Sequence, residues 1–388
     1  MPLSAAAPDI ARMKSELAEL VALRTENPPG REIDAAWYIR DRLAPFSFEI
    51  ALDEYKPGRV NVEAKLVNGP GPVFAFNTHM DVVPAGDGWS SDPFMLREAD
   101  GRLYGRGACD CKGPLAAMLE AVRMLAADRS SWSGTLLAVF VADEEIASEG
   151  AKLYASRRPK IDVAVVGEPT SNTVYSAHKG SLRPLVRVLG VPAHSGSPHL
   201  GENAIYRAGE LLALIAETHE TDVRHRMHAL VGGASLTVTR IQGGHADNVL
   251  PGACELLLDR RLVPGEDEEA VKADIAALLA RAHERFGLRA EIVEWKPTTG
   301  GATETAPDQP IVQASLAACR THGIGKPGPF GFQGACDLVH FRSTGAQGVV
   351  VGPGSLSMAH KPDEFVPVDE FVTASLIYRD IARSMLTA

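Results

Sequence analysis

Four short apolar runs, Pro72–Phe76, Leu136–Val141, Ile161–Val166 and Gly348–Val351, alternate along the chain with stretches of helical spacing. Runs this short read as strands rather than helices. Their alternation with helices predicts βαβ units and a mixed, mostly parallel sheet with helices on both faces. Between the first two runs, Leu115, Met118, Leu119, Val122 and Leu125 mark one face of a helix, whose start is set by Gly113-Pro114. Ahead of them, Ile10–Leu23 has helical spacing and stops at Asn27-Pro28-Pro29-Gly30, and a second helix is expected over Glu32–Leu43.

From about Ser181 the pattern changes. A strand-like run over Leu185–Leu189 precedes a helix over Asn203–Ala216. Strand-like Ser235–Ile241 and Cys254–Leu258 come next, then a helix over Glu266–Phe286 and a strand over Arg289–Trp295. This β-α-β-β-α-β order is the ferredoxin-like pattern. Residues 181–295 are therefore expected to form an inserted α+β domain, with 1–180 and 296–388 forming one discontinuous α/β domain. The alternative is one continuous α/β domain carrying a long insertion.

A chain of 388 residues, 45% hydrophobic, can bury a core without disulfides or a structural metal. Its net charge of -10 argues against nucleic acid or an anionic membrane surface as partner. Apolar runs such as Leu136–Ala142 are too short to cross a bilayer. The opening MPLSAAAPDIARMKSEL has no basic segment followed by an apolar one. The five cysteines are an odd number, which points away from a disulfide framework and toward a reducing compartment. These features together lead us to expect a soluble, cytoplasmic protein. No GxSxG, GxxxxGK[ST] or zinc-finger spacing occurs.

The chemistry lies just beyond the carboxyl ends of the four runs. His79 and Asp81 follow the first, Asp143, Glu144 and Glu145 the second, Glu168 the third, and the loop Gly352–Ala359 leads from the fourth to His360. In open α/β sheets these ends share one rim, where ligands bind. Asp110, before the Leu115 helix, can reach the same rim. Alone, each residue would read as a cap or a solvated turn; their convergence is what signals a site. Two imidazoles among several carboxylates suit a divalent ion, zinc first, with cobalt or manganese as substitutes. Without a cation the carboxylates would resist joint ionisation. A bridging carboxylate, with one His and one further carboxylate per ion, makes a two-metal site for hydrolysis.

The segments NTHMDVVPAGDGW, DGRLYGRGACDCKGPLAAML, VADEEIASEGA, GEPT, AHKGS and GPGSLSMAHKPDEFV together resemble the M20 family of metallopeptidases and deacylases, in its acetylornithine deacetylase and succinyl-diaminopimelate desuccinylase group. The resemblance runs from about Leu17 to Ile381. It implies that His79 and Glu168 hold one zinc, Glu145 and His360 the other, and that Asp110 bridges them. Asp81 would accept the second ring N–H of His79, and Glu144 would be the general base. The inserted segment would be a lid and dimerisation domain. Its His194 would stabilise the oxyanion, with Asn248 contacting substrate beside it, both donated across a homodimer. Arg261, rather than its neighbour Arg260, would clamp the substrate carboxylate, and Gly334 would line the pocket. The implied reaction removes the N-acyl group from a small N-acyl amino acid, N-acetylornithine-like substrates being favoured. Desuccinylase and dipeptidase or carboxypeptidase activities are the alternatives, and a non-catalytic binding protein on the same fold is a further one.

Two departures from the pattern stand out. Cys109 and Cys111 flank Asp110 where small or aliphatic residues are usual, and they are expected to be buried apolar thiols pointing away from the metals. FQGACDLVHF differs from both named groups where selectivity is set. The stretch THETDVRHRMH is expected to be a solvated surface run, and His178 and Lys179 to be structural or pocket residues.

Overall fold

The computed structural model describes residues 7–387; the first six residues of the segment read for a leader lie outside them. By its internal contacts the chain divides into two compact units. One runs to Ser176 and resumes at Thr305–Phe330 and from Cys336; the other is Ala177–Glu304 with Gly331–Ala335.

In the first unit the strands stand in the order Glu49–Lys56, Arg59–Asn68, Gly134–Val141, Val73–His79, Val163–Val166, Gln347–Val350. The last four are mutually parallel: Val73–His79 lies between Gly134–Val141 and Val163–Val166, and Gln347–Val350 closes on the latter. In register, His79 stands opposite Val141, and Val166 opposite both Asn77 and Val350. The four carboxyl ends therefore finish at one edge, and whatever follows them in sequence is delivered there.

Strand alternation divides the core. Phe74 and Phe76 point to one face, packing with Leu115, Met118, Ile377, Tyr378 and Ile381, while Ala75 points to the other with Leu137, Val139, Tyr154 and Phe341. The helix Lys112–Ala127 is covered on nearly every side, which suits its run of Ala, Leu and Met. The helix Ile10–Ala22 starts at Asp9, whose carboxylate accepts the Arg12 N–H at 3.0 Å, and buries Met13, Leu17, Leu20 and Val21 at helical spacing.

Some elements had no clear signal. The hairpin Glu49–Asn68 begins with the charge-rich EIALDEYK, an edge strand with no fully buried residue. The C-terminal helix Val368–Leu386 packs Phe371, Ile377, Tyr378 and Ile381 into the core.

The second unit has an antiparallel sheet in the order Ser235–Gly243, Ala253–Leu262, Gly180–Leu189, Arg289–Lys296. Its helices are Ala204–Thr221 and Glu268–Phe286. Ala208, Leu211 and Ile215 from the first and Ile275 and Leu278 from the second share a core with Val186, Val188, Leu256 and Leu258. This chain order is ferredoxin-like. Among the described residues, no helix is long and apolar enough to cross a membrane.

Candidate metal centre

His79 is the last residue of its strand and is buried. Its Nδ1 lies 2.9 Å from the Asp81 backbone carbonyl, so that nitrogen carries the proton and donates, leaving Nε2 free to act as a ligand. Nε2 is 3.3 Å from Asp110 Oδ1. The other Asp110 oxygen, Oδ2, is 3.3 Å from His360 Nε2, and that nitrogen is 3.0 Å from Glu145 Oε2. One carboxylate thus lies between two imidazoles that come from opposite ends of the sequence. His360 reaches it from a left-handed backbone position (φ 64°), with 54% of its side chain exposed.

Asp110 is fixed through its backbone. The N–H groups of Cys109 and Asp110 both donate to Glu364 Oε1 at 2.9 Å, and Glu364 is ion-paired with buried Arg106. The Asp110–Cys111 peptide bond is cis. Glu168, just past its strand, completes the near side, buried and 3.3 Å from Cys111 Sγ.

The expected hydrogen bond from His79 to the Asp81 carboxylate is made differently. The ring donates to the Asp81 carbonyl, and the carboxylate lies 3.6 Å away, occupied elsewhere. It accepts the N–H groups of Glu144 at 3.1 Å and Glu145 at 3.2 Å, and the Asn27 amide at 2.8 Å. Asp81 therefore grips the turn that carries the paired glutamates. Asn27 also donates to Asp143 at 2.9 Å, and Arg59 reaches Asp143 at 2.6 Å. The sequence showed Asn27 only as part of a helix stop and gave no sign of Arg59, while Glu364 and Asp337 lay within quoted segments without a role of their own.

The electrostatics describe a crowd of negative charge. Burial and then Glu168 push Glu144 well above the usual carboxylate range, and Asp337 and Glu145 add to this against His79. Burial and the Asp110 charge raise Glu168 to about 8, with His79 opposing. Burial would raise Asp110 too, but the His360 and His79 rings outweigh it and hold it low. Hydrogen bonds to Asp110 and then Glu145 raise His360 to about 10. Cations relieve this kind of crowding.

Among the described residues, two groups of donors are close enough to hold an ion: His79, Asp110, Cys111 and Glu168, and Asp110, Glu145 and His360, each with its donor atoms within 4.8 Å of one another. They share Asp110. His79 Nε2 and Glu168 Oε1 are buried without a hydrogen-bond partner. Nitrogen and oxygen donors left bare in this way fit a divalent metal.

Cys111 departs from expectation. Its thiol faces the site, with Sγ 3.0 Å from Asp110 Oδ1. Asp110 and Cys111 lie in the turn entering a helix, with Cys111 at its N-cap, so the strand-like alternation that would send neighbours apart does not hold. Cys109 behaves as anticipated, buried against Ser355 and Gly354.

The remaining candidates are in the second unit. His194 pairs with Val249 across a β-bridge, and Ser195 donates to the Asn248 carbonyl at 2.9 Å, so His194 and Asn248 are neighbours. His194 Nδ1 accepts the Gly196 N–H at 3.0 Å, which assigns the proton of the neutral ring to Nε2 as a donor. Arg261 is partly exposed and donates to Asp259 at 2.7 Å, whereas Arg260 is buried against Glu266. Gly334 faces the Phe332 ring, where a Cβ would come within 2.9 Å. His178 is buried, its Nδ1 2.8 Å from the Lys179 carbonyl.

The fold and donor cluster define a mixed α/β protein built to hold metal at the carboxyl ends of its parallel strands. The chain belongs to peptidase family M20/M25/M40, whose profile matches residues 75–384. It is 34% identical to an acetylornithine deacetylase of Myxococcus xanthus, over 94% of this chain and 95% of that one. It is 30% identical to a protein of Staphylococcus epidermidis named probable succinyl-diaminopimelate desuccinylase, over 95% and 96%. The crystal structure of an M20 family metallo-carboxypeptidase from Sulfolobus solfataricus superposes with a TM-score of 0.81 at 20% identity, covering 96% of this chain and 99% of that one.

Proposed function

We propose that the chain is a dinuclear zinc amidohydrolase that removes the N-acyl group from a small N-acyl amino acid, with N-acetylornithine-like substrates favoured. The observation that carries this reading is the Asp110 carboxylate, each oxygen 3.3 Å from a different imidazole. In it, His79 and Glu168 would hold one ion and Glu145 and His360 the other, with Asp110 shared between them. Two zinc ions held there supply Lewis acidity toward an amide carbonyl and toward water.

Every other step belongs to the chain's own residues. Glu144 takes a proton from the attacking water at its carboxylate and passes it to the leaving amine nitrogen. Its position is set by Asp81, which holds its N–H, and by the Arg59–Asp143 pair beneath the turn. His194, with its donor proton on Nε2, stabilises the developing oxyanion, with Asn248 beside it. Arg261 clamps the substrate carboxylate, and Gly334 lines the substrate pocket. His194 and Asn248 act across a homodimer formed through the second unit, in the cytoplasm. The Myxococcus xanthus relative supports the deacetylase reading and the Staphylococcus epidermidis one a desuccinylase.

The test is amine release by zinc-supplied protein from N-acetyl-L-ornithine, other N-acyl amino acids, N-succinyl-diaminopimelate and several dipeptides. Release from the N-acetyl amino acids supports the proposal, and release from the succinyl compound or dipeptides alone moves the substrate to that class. No release from any member, with no zinc bound, overturns it.

A further inference from the structure

The mechanism above uses five ligands and leaves Cys111 without a task. Its surroundings are not those of an apolar filler. Sγ is fully buried, 3.0 Å from Asp110 Oδ1 and 3.3 Å from Glu168 Oε2. With zinc–oxygen bonds near 2.0–2.2 Å and zinc–sulfur bonds near 2.3 Å, two donors on one ion stand about 3–4 Å apart. The sulfur is thus spaced from both carboxylates as a fellow ligand would be. Independently, His79 Nε2 and Glu168 Oε1, both buried in the same donor cluster, have no hydrogen-bond partner.

We propose that Cys111 is a direct ligand of the ion held by His79, Asp110 and Glu168, so that the two metal positions are chemically unequal. This rests on the two-metal reading. The first position has four protein donors, one of them soft; the second has Asp110, Glu145 and the half-exposed His360. As the sulfur–metal bond forms, the thiol proton leaves to solvent. Thiolate ligation favours zinc over manganese at the first position, which therefore fills first and holds its ion more firmly. The second, with fewer donors and an exposed imidazole, keeps room for water and substrate.

The experiment is a cobalt(II) titration of the metal-free, full-length protein, followed in the visible and near ultraviolet. Visible ligand-field bands report cobalt bound to any of these donors; a near-ultraviolet charge-transfer band reports a thiolate on cobalt. Both are expected to grow over the first equivalent. Cys111→Ser should lose the near-ultraviolet band and keep the visible ones, whereas Cys109→Ser and Cys336→Ser should keep both. Visible bands with no charge-transfer band in the wild type would overturn the proposal and leave the metal centre standing. Absence of both would remove the metal reading itself. A charge-transfer band confined to the second equivalent would overturn the order of filling. Should Cys111→Ser not fold, X-ray absorption of wild type carrying one equivalent of zinc serves instead: a sulfur scatterer at about 2.3 Å is expected, and a shell of nitrogen and oxygen alone would sink the idea.

Discussion

Arg59 and Asp143, 84 positions apart, meet at 2.6 Å with both side chains nearly buried, directly beneath the turn that presents Glu144 and Glu145. Asp143 is itself in the left-handed region (φ 73°), so the turn needs a fixed anchor. Replacing Arg59 by Met strands a buried carboxylate, and the expected loss of stability is about 3–5 kcal/mol. Denaturant unfolding of metal-free protein checks this. Adding Asp143→Asn to Arg59→Met should recover part of the loss, because one of the two carboxylates that Arg59 faces, Asp143 and, at 3.1 Å, Glu32, is then neutral. Strictly additive losses would show that the pair is not coupled.

Glu144 and Glu145 are adjacent but have different assignments. Glu144→Ala should lower turnover by roughly 10²–10⁴-fold while both metal ions stay bound. Elemental analysis beside steady-state kinetics separates the two effects. Near-normal rates would remove Glu144 from the role of base.

Asp110 lies between both imidazoles, whereas His360 serves only one group of donors. Asp110→Ala is expected to empty the second metal position and weaken the first, and His360→Ala to leave the His79 position filled. Metal-to-protein ratios after dialysis read this directly, and full metal content in Asp110→Ala would rule out a shared carboxylate.

The pH dependence of stability should carry a mark from His178. Burial lowers this ring to about 4, against the hydrogen bond to the Lys179 carbonyl, which favours the charged form. A histidine held neutral in the folded state takes up protons more readily when unfolded, so its contribution is present above its ordinary pKa near 6.5 and falls away as pH drops toward 4. The whole effect is on the order of 3 kcal/mol. His178→Gln should flatten the unfolding free energy across that window relative to wild type. Parallel curves for the two proteins would mean that His178 does not titrate on unfolding.

What the sequence disclosed and what it hid follow from how each residue is specified. The four apolar runs could be read because a buried parallel strand has little choice of composition, and strand ends sharing one edge carry His79, Glu145 and Glu168 to one place. The edge hairpin from Glu49 was hidden because one of its strands faces solvent and its charges mask the alternation. Arg59 and Asn27 were hidden because a single polar residue in a turn or at a strand start has no periodicity; only the partner reveals its purpose. The direction of Cys111 was hidden for a related reason: at the N-cap of a helix, unlike in a strand, nothing obliges neighbouring side chains to diverge. The contact between His79 and Asp81 was expected, yet the atom that accepts is the carbonyl, a choice that spacing along the chain does not encode.

Glu145 and His360, 215 positions apart, lie 3.0 Å from each other, and Glu364 holds the Cys109 and Asp110 amides from farther still, 255 and 254 positions away. On the ribosome the early ligands therefore emerge long before the histidine and the brace that complete their surroundings. The whole second unit must be synthesised in the interval. Metal capture at the full centre is consequently a late event in the life of the nascent polypeptide. A chain ending before His360 lacks one imidazole of the second donor group and the carboxylate of Glu364 that accepts the Cys109 and Asp110 N–H groups.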